Sequence, residues 1–172
     1  MNQLTIAWAC AGLSYQEDRV GDYIMELFGM KSHWMHDERG SHFYGVVLDE
    51  KNGVLNIVNR GTDGFDWIGN LMSWWRNARI LTGGDGVHNG FQDAGNAVID
   101  NLVKRYIYNF NYVDVNGHSQ GSGPAAYEVS VIAENFPHIQ HSHANIFAYA
   151  PCGDERYKKR FDAHKAAGKV SG

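Results

Sequence analysis

The sequence predicts an α/β fold in which a mostly parallel central sheet is covered by helices and entered through an N-terminal hairpin. Three observations carry that prediction. Phe43 to Leu48 and Val54 to Val58 are apolar segments of strand length, and the polar turn Asp49-Glu50-Lys51-Asn52-Gly53 joins them. Asn-Gly between two such segments is a strong hairpin signal. The second half then alternates strand, helix, strand, helix, which is the pattern of parallel strands with helical crossovers. Finally, 172 residues with 44% hydrophobic content suit one domain with a substantial core.

The elements follow in chain order. Leu4 to Leu13 is apolar and reads as a buried helix; no positively charged stretch precedes it, so it is not read as a signal peptide. Asp18 to Phe28 reads as a second helix, with Val20, Tyr23, Ile24, Leu27 and Phe28 on one face. The hairpin comes next. Gly83-Gly84-Asp85-Gly86 reads as a loop before a long helix from Phe91 to Asn109, whose Val98, Leu102 and Tyr106 face inward. Tyr112 to Asn116 is a short strand. Pro124 to Asn135 is a helix, with its proline tolerated in the first turn. Asn145 to Tyr149 is a strand, and Asp154 to Ala167 a last helix. No repeat, low-complexity segment or composition break divides the chain, so residues 1–172 are expected to form a single domain.

Composition narrows the function classes. The net charge is −4 and no basic run is present, which argues against nucleic acid as a partner. Two cysteines, Cys10 and Cys152, make neither a disulfide framework nor a zinc motif. No metal or cofactor is therefore expected, and free thiols fit a reducing compartment such as the cytoplasm. No apolar run has the length that a bilayer requires.

The chemistry centres on Gly117-His118-Ser119-Gln120-Gly121. Gly-x-Ser-x-Gly between a strand and a helix is the pattern of a nucleophile elbow. The serine sits in a strained turn, and Gly117 and Gly121 avoid a Cβ where the backbone is crowded. Gly123 and Ala125 let the following helix lie close to the sheet. A Gly/Ser-rich loop is the competing reading; the flanking strand and helix weigh against it.

Four ordered blocks of this chain resemble the class 3 (fungal-type) lipases of the α/β-hydrolase superfamily. They are Val58-Asn59-Arg60-Gly61-Thr62, Asp66-Trp67-Ile68-Gly69-Asn70-Leu71, Val87-His88-Asn89-Gly90-Phe91 and the serine motif itself. Tyr149-Ala150-Pro151-Cys152-Gly153-Asp154 is a fifth, weaker one. The resemblance covers about residues 4–165. It implies an α/β-hydrolase-like fold whose C-terminal part is short or absent. It also implies a serine carboxylester hydrolase working through a Ser119 acyl-enzyme. The Gln120 N–H is the expected first oxyanion donor, and the resemblance assigns the second to Thr62. Where the family usually has Leu after the serine, this chain has Gln120.

Trp67, Ile68 and Leu71 fall in the block that resembles the family's lid. Trp67, Leu71, Trp74 and Trp75 have helical spacing, which suits either a lid over an apolar acyl pocket or a core helix. The implied partners are an acyl-ester or lipid substrate and a lipid interface. A homodimer or a complementing chain is the further expectation.

A serine alcohol needs a base, and the base an orienting acid. After Ser119 the chain offers His138, His141, His143 and His164, with Glu128, Glu134, Asp154, Glu155 and Asp162 as acids. The three earlier histidines read as part of a loop leading into the next strand, at the sheet end away from the serine. Two histidines two apart there can share a metal, but a solvated loop is the simpler reading. His88 and His118 belong to blocks that resemble the family's, and the resemblance implies structural roles for both. Asp154 and His164 remain, in the permitted order Ser, Asp, His. The competing reading makes Asp154 a helix cap and His164 part of an exposed face. In the family the acid lies on the strand after this helix, and the His much further on. Lys169-Val170-Ser171-Gly172 is where that strand is expected to begin. The alternative function is thus a lipase-like binding or scaffold protein, or half of a split enzyme that lacks its own Asp and His. Acyl transfer to an acceptor other than water would use the same residues.

Overall fold

The computed structural model describes residues 18–36, 43–61, 84, 86–148 and 151–172. The expected first helix, Thr62 and the Trp67 to Trp75 segment lie outside them. The described elements are α1 (Asp18–Leu27), β1 (Lys31–His36), β2 (Phe43–Asp49), β3 (Val54–Asn59), α2 (Asn89–Val98), β4 (Tyr112–His118), α3 (Ser122–Asn135), β5 (His141–Phe147), α4 (Glu155–Ala166) and β6 (Val170–Ser171).

The strands form one sheet in the order β1-β2-β3-β4-β5-β6. The β1/β2 and β2/β3 pairs are antiparallel; β3/β4, β4/β5 and β5/β6 are parallel. This is the predicted α/β architecture, with β1 added at its edge. β1 escaped the sequence reading because Lys-Ser-His-Trp-Met-His is too polar for the apolar-run criterion. Trp34 explains its position. Its ring stacks on Phe43 at 5.6 Å, and a Cβ on Gly45 would lie 2.3 Å from it. The indole therefore needs the bare backbone of Gly45 opposite.

The larger core lies on one sheet face, where Tyr44, Val46, Leu55, Ile57, Val113 and Val115 meet α2 and α3. The long helix departs from regular geometry in the middle. Ile99–Val103 forms a π turn, Lys104–Tyr106 resumes the α-helix, and Ile107–Asn109 is a 3-10 turn. The inserted residue lets Ile99 and Val103 join Val98 and Leu102 in the core. α3 is buried continuously from Ser122 to Ile132, as expected of a helix enclosed on all sides.

The other face carries a smaller core of Met25, Met30, Val47 and Val58 against α1. α1 turns only part of the predicted face to the sheet. Ile24 packs against this core and Met25 is buried, while Tyr23, Leu27 and Phe28 are exposed. Gly21 decides this, because it lets the helix settle against the Trp34 indole. A second correction concerns β5. It begins at His141, four residues earlier than its apolar part suggested, so His141 and His143 lie on a strand and only His138 stays in the loop.

Candidate active site

β4 ends at His118, and Ser119 turns the chain into α3 through a 3-10 turn, Ser119–Gly121. Ser119 has φ 52°, in the left-handed region that costs a non-glycine residue about 1–2 kcal/mol. Two local features hold it there. The Ser122 hydroxyl donates to the Ser119 carbonyl at 2.5 Å. Gly117 and Gly121 pack so closely that a Cβ on Gly117 would lie 2.4 Å from the Gly121 oxygen. Neither glycine is needed for its φ; both are needed for the missing methyl. Ser119 and Gln120 remain half-buried, at the carboxyl edge of the sheet.

The end of β3 is pressed onto the same turn. Asn59 is the register partner of Gly117. A Cβ on Gly121 would meet the Asn59 carbonyl at 2.4 Å and the Arg60 carbonyl at 2.7 Å. The strand that leads into Gly61-Thr62 thus abuts the serine turn, which brings the two segments expected to supply oxyanion donors side by side. Thr62 itself, with Trp67, Ile68 and Leu71, lies outside the described residues. Behind the turn, a Cβ on Gly123 would collide with the Phe91 ring at 2.3 Å, so the start of α2 is seated on the start of α3. His88 caps α2: its Nδ1 accepts from the Gly90 N–H at 3.2 Å, and burial lowers its pKa. Its structural reading agrees with that geometry.

Asp154 and His164 are not brought together. Asp154 is the N-cap of α4; its carboxylate accepts from the Arg156 N–H at 2.8 Å and pairs with the Arg156 guanidinium at 2.7 Å. Those bonds, led by the guanidinium, hold its pKa below the usual carboxylate value. His164 lies ten residues along the same helix, about 15 Å away by helical rise. Its Nε2 instead meets Glu134 Oε1 at 2.9 Å.

The sheet direction separates His164 from the serine as well. α4 starts at the carboxyl edge and runs back to the amino edge, where Lys169 accepts from the Ser142 N–H at 3.0 Å. Ser119 and His164 therefore stand at opposite ends of strands about 20 Å long. The expected Ser119, Asp154, His164 relay is corrected by this topology. Among the described residues no His side chain is hydrogen-bonded to the Ser119 hydroxyl. Nor does any group of three His, Cys, Asp or Glu side chains converge as a metal site among them.

The family profile described as Lipase (class 3) matches residues 56–170, two thirds of the chain. The chain belongs to the class 3 lipase family. No curated protein sequence matches it. Among solved structures, it is similar to the lipase from Rhizopus microsporus var. chinensis, with a TM-score of 0.74 at 15% identity. That likeness covers 94% of this chain and 61% of the Rhizopus one. A triacylglycerol lipase from Penicillium expansum gives a TM-score of 0.60 at 15% identity, covering 96% of this chain and 66% of its own. A third structure, described by an unusual buried polar cluster in a family of fungal lipases, gives 0.62 at 16% identity, covering 96% and 66%. The chain spans about three fifths of the length of the Rhizopus lipase.

One buried polar pair of this chain was missed as a pair. Glu128, considered above only as a candidate acid, is fully buried on α3. Its Oε2 accepts from Asn59 Nδ2 at 2.8 Å, while Oε1 has no partner among the described residues. Burial pushes its pKa well above the ordinary carboxylate value, and the Asn59 bond opposes that only in part. The Asn59–Glu128 bond ties α3 to the end of β3, just behind the serine turn. The available signal was a lone acid in the apolar stretch Ala125-Ala126-Tyr127-Glu128-Val129.

Proposed function

We propose that this chain is a serine carboxylester hydrolase that acts on acyl esters or lipids through a Ser119 acyl-enzyme. The observation that carries the proposal is the strained left-handed turn at Ser119 with the end of β3 packed against Gly121. In the proposed reaction a base takes the Ser119 proton and Oγ bonds to the acyl carbonyl carbon. The N–H groups of Gln120 and Thr62 receive the oxyanion. The alcohol leaves with the proton, and water then releases the acid and restores Ser119. Trp67, Ile68 and Leu71 would border the acyl group.

The second reading is a chain whose base and acid come from another segment or another copy. One observation favours it: His164 stands at the far edge of the sheet, where it is bound to Glu134.

The two readings separate in one experiment. The folded chain is treated with an alkyl fluorophosphonate, and the modified residue is found by mass spectrometry. Labelling at Ser119 that vanishes in Ser119→Ala supports a working serine in this chain. Folded chain that stays unlabelled refutes activity of this chain by itself and leaves the incomplete-site reading.

A further inference from the structure

The amino edge of the sheet, opposite Ser119, holds a side-chain cluster that the ester chemistry does not use. His141 and His143 are two apart on β5 and so project from the same sheet face. Ser171, the register partner of His143 on β6, lies between them. Its Oγ is 2.6 Å from His141 Nε2 and 2.6 Å from His143 Nδ1. Two imidazole nitrogens are thus aimed at a single oxygen.

The far side of His141 is fixed as well. Its Nδ1 lies 3.0 Å from the Gly168 carbonyl. A carbonyl can only accept, so Nδ1 of the neutral ring carries the hydrogen and Nε2 presents its lone pair toward Ser171. Metal-binding histidines are oriented in this manner, with the second ring N–H given to a carbonyl or carboxylate. Asp114, buried at 2% exposure, is the register partner of His143 on the neighbouring strand and stands on the same face.

We propose that His141 Nε2, His143 Nδ1 and the Ser171 oxygen form a site for a divalent transition-metal ion of the zinc, nickel or copper class. Imidazole nitrogen is the ligand type that those ions favour. Each nitrogen requires about 2.0–2.1 Å to the ion, so the Ser171 hydroxyl shifts to make room, stays within reach as the third ligand, and the two rings close on the ion. Water completes the coordination. The consequence is structural: β6 has only two residues, and the ion would clip it to β5 through side chains. The site is independent of the ester chemistry, because it lies about a strand's length from Ser119.

The test uses the whole chain with Zn(II) and Cu(II), one at a time, in isothermal titration calorimetry. One saturable site per chain is expected, tighter for Cu(II) than for Zn(II). His141→Gln and His143→Gln keep a hydrogen bond to Ser171 and so keep the fold, but each should weaken binding about tenfold or more. Ser171→Ala should change it less. Frozen-solution electron paramagnetic resonance of the Cu(II) form should show coupling to two imidazole nitrogens, reduced to one in either variant. Zn(II) should raise the melting temperature of the wild type and not of the double variant. His33→Gln/His36→Gln controls for the other histidines and should bind as the wild type does. Equal affinity in the wild type and the His141→Gln/His143→Gln double variant, or no saturable site, overturns the proposal.

Discussion

Gly121→Ala isolates the contact between the serine turn and β3. Gly121 has φ −65° and ψ −13°, which alanine adopts freely, so backbone conformation contributes nothing to the loss. The added methyl would stand 2.4 Å from the Asn59 oxygen and 2.7 Å from the Arg60 oxygen. Both are backbone atoms and cannot swing aside. The first distance is about 1 Å short of ordinary van der Waals contact. The turn and the end of β3 must therefore separate by most of that amount. Overpacking of this kind costs about 1–3 kcal/mol.

For a chain of this length that loss lowers the melting temperature by roughly 2–4 °C per kcal/mol. A displacement near 1 Å between nucleophile and oxyanion donors should also slow acyl chemistry by about 100-fold. Urea unfolding gives the stability, and the rate of fluorophosphonate labelling at Ser119 gives the reactivity. Gly84→Ala is the control, because a Cβ there meets nothing within 4 Å. An unfolding midpoint for Gly121→Ala equal to that of Gly84→Ala would refute the argument that this glycine exists for close approach.

Three further outcomes follow from the geometry. The raised pKa of Glu128 means that the folded chain keeps a proton which the unfolded chain releases above about pH 4.5. Stability should then fall as pH rises from there, by up to about 1.4 kcal/mol per pH unit, until the folded group itself ionises. Glu128→Gln should remove that slope, and parallel urea midpoints for the two proteins between about pH 5 and 7 would contradict a neutral Glu128. His164→Ala should leave Ser119 labelling unchanged within about twofold, because the imidazole is bound to Glu134 at the opposite edge. Its stability loss should stay below about 1 kcal/mol, as befits a half-exposed pair; a large drop in labelling would restore His164 as the base. Ser122→Ala removes the hydroxyl that holds the Ser119 carbonyl, and it should destabilise the chain by about 0.5–1.5 kcal/mol in the same urea assay.

Local pattern determined a good part of this protein. The hairpin was legible because Asn52-Gly53 separates two apolar strands, and Gly53 does take a positive φ of 68°. The serine turn was legible because sterics at an elbow demand glycine two residues either side, and both glycines prove to be in contact with backbone. The helices after Phe91 and Ser119 were legible from apolar spacing, and the class 3 lipase resemblance from the order of its blocks.

Other properties were decided only by tertiary structure. Asp154 and His164 occur in an order compatible with a triad, but the direction of α4 puts His164 at the far edge of the sheet. Chain order carries no information about which end of a helix faces a given strand terminus. β1 is a strand because Trp34 finds Phe43 and Gly45, not because its own residues alternate. Glu128 is buried because Asn59, distant in sequence, offers it one hydrogen bond. His141, His143 and Ser171 meet because two parallel strands fall into register. Spacing along the chain reports which residues share an element's face. Which charges, rings and hydroxyls then meet depends on how separate elements pack, and that is set by long-range contacts rather than by sequence neighbours.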